Sequence, residues 1–411
     1  MEVLYPRCCG LDVHKRSVVA CLITPGPDGT SSKAIRTFGT MTEDLLALSD
    51  WLVAAGCTHV AMESTSVYWK PIYNLLEESV ELLLANARHI KAVPGRKTDV
   101  RDCEWIADLL RHGLLTASFV PDRAQRELRE LTRYRTSLGR ERTAEANRLQ
   151  KTLEGANIKL AAVATDILGK SGREILAALV DGTTDAAALA ELAQGRLRDK
   201  IPESERALVG CFGAHQRFLV AEQMAHIDFF DAAIARVSAE ITERLRPLQE
   251  ALERLDAIPG IGRPGAEALI AEIGADMTRF PTAGHLASWA GMCPGNNESA
   301  GKRRSGKTRK GSPWLRALLV QMAHAAARTR NSYFAAQYRR LAARRGKSRA
   351  AVAVGHSILV TAYHLLRRGT DYHDLGGHYF EERDRDALVR HLVHRLEGLG
   401  CKVAVAPAAA A

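Results

Sequence analysis

"GRKTDVRDCEW", residues 95–105, sets two acids, Asp99 and Asp102, three positions apart among Arg96, Lys97 and Arg101. On a helix that spacing puts both carboxylates on one face. Like charges so close repel, and the cost falls only if something positive lies between them. Singly, each acid reads as structural, either capping a helix or pairing with Arg96 or Arg101. Jointly, their meaning depends on which other acids the fold brings to the same place.

Working outward, residues 8–24, "CCGLDVHKRSVVACLIT", have the β-branched and apolar content of two short strands with a polar break. "PGPDGTSS" is a turn, and "KAIRTFGT" a third strand. "TEDLLALSDWLVAAG" is an amphipathic helix with Thr42 as its expected N-cap. "THVAMEST" is a fourth strand, "SVYWKPIYNLLEES" a helix and "VELLLANA" a fifth strand, and a helix is expected from about Thr98 to His112. The alternation specifies an α/β layer with a mixed sheet over residues 1–120.

In that layer Asp12 ends the first strand and Glu63 ends the fourth. If those strands are neighbours, the two acids stand side by side, and the closing helix brings Asp99 and Asp102 opposite them. Four converging carboxylates are tolerable only around cations. Two Mg²⁺ ions would turn the cluster into a site for phosphoryl transfer. The order of strand Asp, strand Glu and Asp-x-x-Asp is ribonuclease-H-like. His14 follows Asp12 closely, but a lone histidine there is expected to pack or hydrogen-bond, so it stays outside the metal set.

From about 121 to 256 the chain is helical and highly charged. Leu128, Leu131, Leu138, Leu149 and Leu153 form one rough heptad stripe, and residues 222–256 carry a second from Met224 to Leu255. Two long coiled-coil-like helices follow, either packed within one chain or pairing two chains. Small helices are expected over 165–215. "IPGIG" (258–262) resembles a helix-hairpin-helix turn, whose glycine amides can approach a phosphate.

The net charge is +10, which favours an anionic partner. The positive charge concentrates in residues 301–350, which hold fifteen Lys and Arg and no Asp or Glu. A solvated face would mix signs. This stretch, with Trp314, Tyr333, Phe334 and Tyr338 among the cations, points to nucleic acid, with Lys302, Arg303, Arg304, Lys307, Arg309 and Lys310 as its densest block. The eight cysteines form no Cys-x-x-Cys pair, which argues against a zinc site. No leader or run of eighteen apolar residues occurs, so a cytoplasmic protein without a membrane contact is expected. "VAVAPAAAA" closes a C-terminal extension over 371–411 that is expected to fray.

"GLDVHK" (10–15), "MEST" (62–65), "KTDVRD" (97–102), "IPGIG" (258–262), "WAGMCPGNNESAGKRRSGKTRKG" (289–311) and "LRALLVQMAHAA" (315–326) together resemble the DEDD transposases of insertion-sequence family one-ten. The resemblance runs in order along nearly the whole chain, and "KTDVRD" and "ESAGK" are its specific blocks. It implies a RuvC-like nuclease domain at 1–120 and a coiled-coil middle over 121–256. A mainly helical transposase domain would follow over 257–370. It also implies a structured bridge RNA as guide, and DNA (element ends and target) as substrate. The protein would be a homo-oligomer, a dimer assembling to a tetramer.

By motif match the family's nucleophilic serine is Ser299, with Ser305 the nearest rival and Ser312 a weaker one. The acids of one protomer would meet the serine of another. The chain departs from a compact member mainly by length, around 165–215 and past 370. Two other classes stay open on the residues alone. One is a RuvC-like endonuclease with no covalent intermediate, and the other is a non-catalytic nucleic-acid-binding protein.

Overall fold

The computed structural model describes residues 2–26, 30–64, 66–85, 102–295, 297–299, 301–308 and 310–405. By its internal contacts the chain divides into two compact units, 1–123 and 124–411.

The first unit is built on a five-stranded sheet of order β3-β2-β1-β4-β5. Its strands are β1 (Cys8–Val13), β2 (Ser17–Pro25), β3 (Ser31–Gly39), β4 (His59–Glu63) and β5 (Glu81–Ala85). β1 pairs antiparallel with β2 and parallel with β4, so the sheet is mixed and the first and fourth strands are neighbours. Helices α1 (Thr42–Ala54), α2 (Trp69–Leu76) and α3 (Asp102–Arg111) complete the unit. Alternation along β1 assigns its two faces. Cys9, Leu11 and Val13 join Leu45, Leu48, Leu52, Ile72 and Leu76 in one core, on the side of α1 and α2. Cys8 joins Cys103, Ile106, Ala107 and Leu110 in a second core, under α3.

Gly10 explains how α3 lies so close. A Cβ there would stand 2.3 Å from the Cys103 carbonyl oxygen and 2.4 Å from the Ala107 nitrogen. Only glycine lets the helix backbone rest directly on the strand.

Two details of this unit differ from expectation. Met41 is the N-cap of α1, and Thr42 is its first helical residue. The closing helix begins, among described residues, at Asp102; the expected start near Thr98, and Asp99 with it, lie outside the described residues.

The second unit is almost wholly helical. α4 (Arg123–Gly155) runs 33 residues and buries Leu128, Leu138, Leu149 and Leu153 of the expected stripe, while Leu131 is half-buried. Short helices α5 (Leu160–Val163), α6 (Lys170–Asp181), α7 (Ala186–Glu191) and α8 (Ile201–Leu208) pack beside it, with α9 (Ala214–Arg244) as the second long helix. The single helix expected over 222–256 is in fact interrupted. Residues 246–248, "RPL", form a 3₁₀ turn before α10 (Gln249–Asp256). Pro247 lacks the N–H that would continue the α-helical ladder.

The "IPGIG" turn joins α10 to α11 (Gly262–Ile273). Gly260 has φ +90°, and a Cβ there would stand 2.4 Å from the Ala326 nitrogen. That glycine therefore serves close helix packing.

The chain continues through α12 (Ala283–Trp289), a hairpin of β6 (Asn297–Ser299) and β7 (Lys302–Ser305), and α13 (Pro313–Ala326). It ends in α14 (Tyr333–Arg345), α15 (Lys347–Arg368), α16 (Tyr379–Arg383) and α17 (Arg385–Glu397). Among the described residues only α15 is long and apolar enough to cross a membrane, but Ala350, Val354, Ile358, Leu359 and Ala362 are buried, as in a core helix.

Arginines of α4 clamp it to α11. Arg133 holds the buried Glu272 through two bonds of 2.7 and 2.9 Å, and Arg135 holds the buried Glu267 at 2.6 Å. Burying those carboxylates is tolerable because each is paired in this way.

Candidate active site and nucleic-acid interface

Asp12 and Glu63 occupy equivalent ends of two adjacent parallel strands. The β1–β4 register pairs Leu11 with Met62, and the two acids are the next residues on each strand. Their faces follow from alternation. Gly10 faces α3 and Ala61 lies in the core under α3, so Asp12 and Glu63, two residues on, face the same side. Both are half-buried.

Electrostatics tie Asp12 to the start of α3. Burial pushes the Cys103 thiol up, and the nearby Glu104 and Asp12 carboxylates push it further. Asp102, beside Cys103, is exposed in the first turn of α3. The structure thus brings Asp12 and Glu63 together and sets Asp102 on the helix that covers their face. Asp99 lies outside the described residues. Among the described residues no three His, Cys, Asp or Glu side chains form a ready metal cluster.

His14 hydrogen-bonds, as expected of it. Its Nε2 is 3.1 Å from Asp12 Oδ2. The clue was its spacing of two along a polar strand end, which puts both side chains on one face.

In the second unit, Ser299 pairs with Lys302 at the tip of the β6–β7 hairpin, and Gly301 supplies the left-handed φ of +71° in the turn. The two rival serines have structural partners. Ser305 Oγ accepts from the Lys307 amide at 3.2 Å. Ser312 caps α13, accepting from the Leu315 amide at 3.3 Å and donating to Glu272 Oε2 at 3.4 Å.

Of the basic block, Lys302, Lys307 and Lys310 are exposed; Arg309 lies outside the described residues, and the backbone of Arg303 and Arg304 runs along β7. Past the hairpin the chain borders a groove of about 1630 Å³. Lys307 and Lys310 line it from the loop after the hairpin, Arg316 from α13, Arg345 from the end of α14 and Arg349 from α15; among the described residues no acid lines it. Arg345 and Arg349 belong to the 301–350 run read as nucleic-acid contact, though not to its densest block, which ends at Lys310.

The aromatics of that run are committed elsewhere. Phe334 is buried, Tyr333 stacks on Phe380, and the Trp314 ring lies beneath the guanidinium groups of Arg133 and Arg140. Of the four, only Phe334 is shut away in the core; Trp314, Tyr333 and Tyr338 are half-buried.

A mixed sheet with acids at the ends of its adjacent central strands, followed by a mainly helical unit, is consistent with a ribonuclease-H-like α/β domain joined to a helical one. The lineage is narrower still. Residues 9–158 match the DEDD transposase family of IS110 elements, and residues 252–339 match the transposase IS116/IS110/IS902 family. The chain belongs to the IS110 family of transposases. A protein of Pseudomonas aeruginosa described as a probable family 20 transposase is 27% identical over 320 residues, covering 76% of this chain and 85% of that protein. An insertion element IS110 protein of 43.6 kDa from Streptomyces coelicolor is 29% identical over 237 residues, 53% of this chain and 57% of that protein.

Proposed function

We propose that this transposase is an RNA-guided recombinase that moves its own insertion element. The observation that carries the proposal is the pair Asp12 and Glu63, side by side on neighbouring strands under α3. Hard carboxylate oxygens in that arrangement fit a hard cation such as Mg²⁺. Asp12, Glu63, Asp99 and Asp102 would hold the metal, two ions in the full site. Bound there, Mg²⁺ would neutralise charge on the phosphate under attack.

The rest falls to the chain's own side chains. Ser299 attacks the scissile phosphorus. Its Oγ–P bond forms, its proton departs, and the P–O bond to the leaving strand breaks, freeing a DNA hydroxyl. A hydroxyl from the exchanging strand then attacks the phosphoserine, and the serine leaves with a proton restored. Lys302, the register partner of Ser299 at the hairpin tip, steadies the developing charge in this scheme. Lys302, Arg303, Arg304, Lys307, Arg309 and Lys310 hold the nucleic-acid backbone.

Target choice belongs to a structured bridge RNA, and element ends and target are both DNA. The acids and the serine come from different protomers of a dimer that assembles to a tetramer in the bacterial cytoplasm. In this scheme residues 121–256 organise the oligomer, 257–370 carry the serine chemistry, and the "IPGIG" turn touches the phosphate backbone.

Mixing inactive variants tests the proposal. D12N and S299A should each be inactive alone, yet regain strand cleavage when mixed in the presence of the RNA and element-end DNA. Activity of D12N alone would remove the acids from the chemistry. Failure of the mixture would remove the shared site.

A further inference from the structure

The α15 wall of the basic groove is built from residues that no motif marks. α15 turns one strip toward it, Arg349, Ala353 and His356, at helical spacing of four and three. The opposite strip, with Ala350, Val354 and Ile358, is buried in the core. Arg345, at the end of α14, extends this wall.

Two features distinguish the groove from an ordinary charged surface. The first is that its cations are unopposed. Elsewhere in this unit arginines meet acids: Arg133 with Glu272, Arg135 with Glu267, Arg142 with Asp231. In the groove Lys307, Lys310, Arg345 and Arg349 share one lining, with no carboxylate partner among the described residues. Such a ring repels itself until an anion enters.

The second feature is His356, half-buried in the wall and without a hydrogen-bond partner among the described residues. Beside it the Gln337 Oε1 is buried and also unpartnered, although its amide nitrogen donates to Ser357 at 2.9 Å. An unmet imidazole in a cationic groove marks a place where an anion completes the bonding, whereas the Gln337 oxygen, itself an acceptor, would take a donor such as a nucleotide hydroxyl or base N–H.

We propose that the groove carries a phosphodiester strand along α15, with Arg345 and Arg349 neutralising its phosphates and His356 donating a hydrogen bond to a phosphate oxygen. The inference rests on the nucleic-acid contact proposed above for the block ending at Lys310. It adds a second wall and a titrating group. Burial holds the His356 imidazole below its ordinary range, and Lys307 and Lys310 from the loop, Arg316 from α13, Arg345 from α14 and Arg349 from its own helix share its groove. The free imidazole is therefore neutral near neutral pH. A phosphate beside it favours the imidazolium, so binding takes up a proton. The sign follows: the extra affinity is complete below the free-state pKa and is lost as pH rises through the higher pKa of the complex.

Binding of an oligo-dT and an oligo-U of equal length, followed by fluorescence anisotropy across pH and salt, tests this. R345A/R349A should lower the log–log salt slope by about 1.4, two single-strand phosphate contacts. H356Q should match wild type at mildly alkaline pH and lack its tightening in acid. Calorimetry in two buffers of different ionisation enthalpy should show proton uptake by wild type and none by H356Q. Whichever oligonucleotide responds names the strand as DNA or RNA.

If R345A/R349A keeps the wild-type slope while K307A/K310A loses it, the second wall is refuted and the basic block stands. If both keep it, the basic block falls too. A wild-type complex that takes up no proton refutes the role of His356.

Discussion

At the scale of single residues, the site depends on a glycine as much as on acids. Gly10 lets α3 rest on β1, and the atoms a Cβ would meet are backbone, which cannot swing away. Gly10→Ala should therefore cost roughly 1–3 kcal/mol, typical of overpacking, and lower the urea midpoint. Wild-type stability in that variant would mean that the helix does not sit so close. Asp12→Asn should do the opposite. Its side chain is half-exposed and its described polar partner is the exposed His14, so stability should change by less than about 0.5 kcal/mol. Magnesium affinity, read by calorimetry, and DNA cleavage should both collapse. Unaltered Mg²⁺ binding by D12N would put the metal elsewhere.

Among the elements, the hairpin and the helix that follows divide the serines by role. Ser312 is held by two bonds at the start of α13, so Ser312→Ala should cost about 1 kcal/mol in a thermal or urea melt. Ser299→Ala, at a hairpin tip, should leave the same melt unchanged. Equal losses in both variants would show that Ser299 is also part of the scaffold. The first unit was largely legible in sequence because its central strands are short apolar runs, buried on both faces, separated by clear turn and helix signals. Its acids fall near strand ends, but that β1 and β4 are neighbours came only from the sheet order. Other features were less so. The N-cap passed from Thr42 to Met41 because the chain turns into the helix one residue early. Pro247 broke a leucine stripe that periodicity alone carries through. The α15 wall of the groove was hidden because Arg349 and His356 share a strip of α15 only after that helix has buried its other face. The aromatics among the cations looked like stacking platforms, and only packing reveals that Phe334 and Trp314 are already engaged.

For the whole molecule, the cysteines offer a way to watch one unit separately. Cys8, Cys9, Cys21, Cys57 and Cys103 are all buried, and all lie in the first unit. Burial pushes Cys8 and Cys21 up to about 12 and Cys57 up to about 11, so their thiolates are scarce even in mild alkali. Cys211 and Cys401 are exposed and belong to the second unit. Alkylation followed by mass spectrometry should label those two at once and the buried five only when the first unit opens. Rapid labelling of Cys9 in the native protein would contradict the core described for it. The central claim, a transposase whose carboxylates and serine act on one phosphodiester, is tested most directly by trapping the protein–DNA adduct and mapping the peptide that carries it. The expected result is a phosphodiester on Ser299, dependent on Mg²⁺ and on Asp12. An adduct on Ser305 or Ser312, or strand cleavage by the wild-type protein with no adduct at all, would contradict it.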